Sequence, residues 1–104
     1  MTNEAFQILM ENRFKLTEQT LMRKGNEYSV TADRLDNFKR IALMTGSSPT
    51  AVLMGFAIKH IDSVIRLANN EASEEVSIDY IDEKIGDTIS YLILLEALLN
   101  EGRE

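Results

Sequence analysis

Cysteine is absent from this sequence, which excludes disulfides, thiolate chemistry and cysteine-ligated metal centres. Histidine occurs once, at His60, so a histidine-rich zinc site is excluded as well. A single histidine beside Lys59 fits either a general base or a partly buried hydrogen-bonded side chain, and no partner at a diagnostic spacing favours the base. One proline and five glycines are too few for a fibrous or disordered chain. No apolar run is long enough to span a bilayer. Met1 through Met10 alternates polar and apolar residues without a basic flank, a poor match to a secretory signal. The expected setting is therefore cytoplasmic, or the host cytoplasm for a phage-encoded chain. Basic residues are in deficit: the net charge is −6, which disfavours nonspecific binding to duplex nucleic acid. The P-loop, the dinucleotide fingerprint, the serine triad and the basic recognition helix are all missing.

What is present is helical periodicity. The 104 residues suggest one domain, and 44% hydrophobic with 27% charged residues is ordinary for a globular protein. Phe6, Met10 and Phe14 lie four apart, with Leu9, Leu16 and Leu21 widening the stripe, which predicts a helix over about 3–24. Gly25 and Asn26 supply a stop. A second helix is expected over about 31–44, with Leu35, Phe38, Ile41 and Ala42 on its apolar side. Asp36 and Arg40 on that helix can pair across one turn, worth about 0.2–0.5 kcal/mol. Thr45-Gly46-Ser47-Ser48-Pro49 is the strongest punctuation: Ser48 can cap and Pro49 can open a third helix over about 49–69. A fourth helix, about 79–99, carries the stripe Ile81, Ile85, Ile89 and Leu92. Gly86 within it would allow close helix contact. The expected fold is an all-α four-helix bundle. The third and fourth helices are apolar around much of their circumference, so a homodimer or dimer of dimers is expected.

Three groups of residues can carry chemistry. Glu83 and Asp87 share one helical face, and a magnesium ion would relieve the repulsion between their carboxylates. Lys59, Ser63 and Arg66 form a polar stripe suited to phosphate, with Asp62 placed to orient Arg66 or join a metal shell. Glu27, Tyr28 and Ser29 fall on the first connection, and Tyr91 lies four residues after Asp87. Each group also has an ordinary reading: a solvated acidic face, an Asp62–Arg66 pair, turn chemistry, and core packing for the tyrosines.

Taken together, Arg23-Lys24-Gly25-Asn26-Glu27-Tyr28-Ser29, Lys59 with Ser63 and Arg66-Leu67, and Glu83-Lys84-Ile85-Gly86-Asp87-Thr88-Ile89-Ser90-Tyr91 resemble the all-helical MazG-like nucleoside triphosphate pyrophosphohydrolases. The nearer resemblance is to the small phage and bacterial nucleotide modification associated domain 1 proteins, and it covers roughly residues 20–98. It implies magnesium held by helix-borne carboxylates and hydrolysis of a nucleotide between its α and β phosphates. Glu83 and Asp87 match the acids of the terminal helix, with Asp62 and Glu27 as further ligands. Water activated beside them would attack a phosphate. Lys59, Ser63 and Arg66 would hold the phosphates, and Tyr28 and Tyr91 would contact the base. The sequence departs from the family where a paired-glutamate motif is expected: Lys59-His60-Ile61-Asp62-Ser63 has one acid, Asp62. Two other functions fit the residues: a noncatalytic nucleotide-binding or phage accessory protein, and a helical adaptor for another protein.

Overall fold

The computed structural model describes residues 1–28, 31–70 and 76–101, and the backbone alone of Tyr28. It is an all-α four-helix bundle: α1 (Asn3–Tyr28), α2 (Asp36–Thr45), α3 (Pro49–Ala68) and α4 (Ile78–Glu101). Among the described residues no single helix is long and apolar enough to cross a membrane.

Local chemistry sets the helix boundaries. The Thr2 hydroxyl accepts the Ala5 N–H at 3.0 Å and opens α1. That helix continues through Gly25 and Asn26, beyond the stop the sequence suggests. The Arg34 side chain lies against Gly25, with Nε 2.7 Å from where a Cβ would stand. Arg34 also donates to the Leu21 carbonyl at 3.3 Å, so it anchors the following connection on the last turns of α1. The absence of a side chain at position 25 permits this approach.

Five residues separate the expected start of the second helix from the observed one, because a local network holds them out of helix. Asp36 Oδ2 accepts both the N–H and the hydroxyl of Thr31, each at 3.0 Å. Asp33 Oδ1 accepts the Leu35 N–H at 3.0 Å. Side chains that bond nearby backbone groups in this way compete with helix formation, and the helix begins where the competition ends. At the other end, Gly46 adopts φ 68° and its N–H bonds the Ala42 carbonyl, a left-handed cap that glycine takes without steric cost.

Ser48 then caps α3, its hydroxyl accepting the Ala51 N–H at 3.2 Å while Pro49 occupies the first turn. The axes of α2 and α3 meet at 102°. Ser77 opens α4 by accepting the Tyr80 N–H at 3.1 Å.

The core sits where α2, α3 and α4 converge. Leu35, Phe38, Leu53, Ala57 and Leu98 are its buried members, with Val52, Ile61, Tyr91, Leu94 and Leu95 packed against them. Leu53 is fully enclosed. The longest contact runs between α3 and α4, and α2 lies across α3. In contrast, α1 packs chiefly on α4 and less closely. Gly86 brings these two together: the Arg13 guanidinium lies 2.6 Å from the position its Cβ would take and pairs with Asp82 at 3.0 Å. The stripe of Phe6, Met10 and Phe14 is present on α1 but stays exposed in the single chain.

Candidate functional site

Four helices and the connection before α2 line a cleft of about 370 Å³, within the usual range for small-molecule sites. Leu21 and Lys24 come from the last turns of α1, Arg34 from the connection, and Asn37, Phe38, Arg40 and Ile41 from α2. Phe56 of α3 and Asp87, Ser90, Tyr91 and Leu94 of α4 complete it. Three of its charged residues are cationic and one, Asp87, is acidic. In a chain of net charge −6 this is a local reversal of sign.

The walls are aromatic. Phe38 and Phe56 lie 6.5 Å apart between ring centroids, tilted by 59°. Tyr91 stacks on His60 at 5.1 Å with 29° between the planes. His60 Nδ1 is 3.6 Å from Asp87 Oδ2, too long for a hydrogen bond, so α3 presents its only histidine to the one acid of the cleft. Spacing within a segment could not reveal this pairing, because the two residues are on different helices.

Two buried polar atoms at this site have no hydrogen-bond partner among the described residues: Asn37 Oδ1 on the cleft wall, and His60 Nδ1 behind Asp87. Buried polar atoms are nearly always satisfied, so each marks a place for a ligand group or water. Arg40 reaches Asp36 at 3.9 Å but leaves its side chain half exposed at the cleft mouth. A planar guanidinium there suits bidentate contact with phosphate.

The structure separates the residues singled out in the sequence. Asp87 and Tyr91 line the cleft. Lys59, Ser63 and Arg66 do not: the Ser63 hydroxyl donates to the Lys59 carbonyl at 3.1 Å, and Arg66 faces Asp62 at 3.5 Å, both side chains 67% exposed. Glu83 lies one turn before Asp87 but points to solvent, with Lys84 at 4.0 Å. Glu27 is exposed near the end of α1, and the Tyr28 side chain and Ser29 lie outside the described residues.

Of the carboxylates named for magnesium, Glu83, Asp87, Asp62 and Glu27, Asp87 alone lines the cleft. Among the described residues no three of His, Cys, Asp or Glu form a group able to hold a metal ion. Sequence reasoning missed Lys24, Arg34, Asn37 and Arg40 as a set. The helical periodicity of α2 does place Asn37 and Arg40 on the side away from its apolar stripe, and that was the available signal.

No protein-family model, curated protein or solved structure matches this chain.

Proposed function

We propose that this chain binds a nucleotide in the cleft between α2, α3, α4 and the end of α1, in a cytoplasmic setting. The observation that carries the reading is the joint placement of Lys24, Arg34 and Arg40 beside Phe38, Phe56 and Tyr91 in one cleft. Cations at the mouth suit phosphate, and aromatic walls suit a base or sugar face. Asn37 Oδ1, buried without a partner, offers an acceptor to a ligand N–H or hydroxyl. Calorimetric titration with nucleoside mono-, di- and triphosphates tests this. Affinity should rise with phosphate count, and Arg40→Ala should weaken binding about tenfold, the cost of about one charge-assisted contact. Absence of binding at millimolar nucleotide, or equal affinity in Arg40→Ala, would contradict it.

A hydrolytic reading, release of pyrophosphate from a nucleoside triphosphate, is favoured by one observation: Asp87 is a carboxylate inside the same cleft and is backed by His60. It predicts pyrophosphate release in the presence of magnesium or manganese that disappears in Asp87→Asn while nucleotide binding persists. Binding without any release favours the noncatalytic form.

A further inference from the structure

Gly25 is the only glycine in the 26 residues of α1, and it stands inside the helix, three residues before its end. An interior glycine weakens a helix relative to alanine, so helix formation does not account for it. Its φ is not positive, so conformational freedom does not account for it either. What the missing side chain provides is room. A Cβ at position 25 would stand 2.7 Å from Arg34 Nε, 3.0 Å from its Cδ and 3.6 Å from its Cζ. To accept that atom in ordinary contact, the guanidinium would have to withdraw by about 1 Å.

The seat has a second part. One turn before Gly25, the Leu21 carbonyl accepts an Arg34 Nη2–H at 3.3 Å. The connection that carries Arg34 is itself held: Asp33 accepts the Leu35 N–H at 3.0 Å and the Lys39 ammonium at 2.6 Å. With both neighbours of Arg34 tied down, the direction of its side chain is set by what α1 offers. It stands where two hollows adjoin. Leu21, Arg34 and Leu94 line both the cleft and a second hollow of about 720 Å³, and Gly25 lines the second alone. That second hollow also holds Asp33 and Glu101, so a guanidinium off its seat has carboxylates to turn to, away from the cleft.

We propose that Gly25 is a positioning residue for phosphate: the space it leaves, with the Leu21 carbonyl, seats the Arg34 guanidinium at the edge of the cleft. Resting on the nucleotide reading, this adds to the site a residue that lies outside the cleft lining. The atoms a Cβ would meet belong to the far part of a flexible side chain and not to backbone, so Gly25→Ala moves Arg34 and leaves the bundle folded. Alanine also suits the helix better than glycine. The loss therefore falls on affinity and not on the melting temperature.

Calorimetric titration of the full chain with ATP, GTP, CTP and UTP in turn, in a double-mutant cycle, tests the assignment. Gly25→Ala should weaken triphosphate binding about five- to tenfold, up to the loss of one charge-assisted contact. In an Arg34→Ala chain the same change should alter affinity by less than about twofold, because the group it displaces is gone. Unchanged affinity in Gly25→Ala, or an undiminished loss in the Arg34→Ala chain, would overturn the positioning role and leave the nucleotide reading standing. No triphosphate binding by the unaltered chain would overturn both. Should Gly25→Ala fail to fold, NMR of the unaltered chain supplies the second reading. The Gly25 Hα and Arg34 Hδ protons should show a cross-relaxation peak, and the Arg34 Nε–H resonance should move as triphosphate binds. A missing peak, or an unmoved Nε–H in a chain that binds triphosphate, would overturn the assignment.

Discussion

At the scale of single residues, Lys39 shows how one side chain ties distant parts of the chain. Its ammonium donates to Asp33 at 2.6 Å and to Glu101, joining the entry of α2 to the last turn of α4. The hydrogen bond to Asp33, followed by that to Glu101, raises the Lys39 pKa above its ordinary 10.5. The same Lys39 bond, with the Leu35 N–H second, holds Asp33 below its ordinary 3.8. The signs differ at the two ends of the pH scale. The Lys39 contribution is complete below 10.5 and fades as pH rises through the higher folded value. The Asp33 contribution is complete above its unfolded value near 3.8 and fades as pH falls through the lower folded one. Thermal melts across both ranges should show Lys39→Met losing part of each decline; an unchanged pH profile would contradict the linkage. Deeper in, Leu53 is fully enclosed, and Leu53→Ala should cost about 2–5 kcal/mol in denaturant unfolding, the usual cost of truncating a core leucine.

At the scale of elements, α3 offers two substitutions of opposite sign. Ser48→Ala removes the acceptor for the Ala51 N–H and should destabilise by about 1 kcal/mol. Gly55 lies mid-helix with nothing within 4 Å of where a Cβ would stand, so Gly55→Ala should stabilise by about 0.5–1 kcal/mol. Urea unfolding of the two variants checks both, and the same direction of change in both would contradict the reading of this helix. Signals of this kind are local, which is why the Ser48–Pro49 start is legible in the sequence. The start of α2 is harder to read because Thr31, Asp33 and Asp36 bond one another across a turn, and a periodic pattern carries no record of that competition. In α1 the stripe of Phe6, Met10 and Phe14 marks a helix but does not say whether the chain itself covers it. The site divides along the same line. Asp87 and Tyr91, one turn apart on α4, can be grouped from spacing. Lys24, Arg34 and Arg40 meet only because three separate elements close around Phe38.

At the scale of the whole molecule, two regions of different character share one small chain. The convergence of α2, α3 and α4 forms an enclosed core with a cation-rimmed cleft at its side, while α1 and the facing side of α4 expose an apolar groove. The proposed nucleotide site puts phosphate at the cleft mouth and not along the outer stripe of α3. Backbone and side-chain NMR of the labelled full chain, titrated with a nucleoside triphosphate, reads both places at once. Saturating shifts centred on Asn37, Arg40 and Tyr91, with Lys59, Ser63 and Arg66 unmoved, are the predicted result. Shifts centred on Lys59, Ser63 and Arg66 with the cleft silent, or no shifts at millimolar nucleotide, would contradict it.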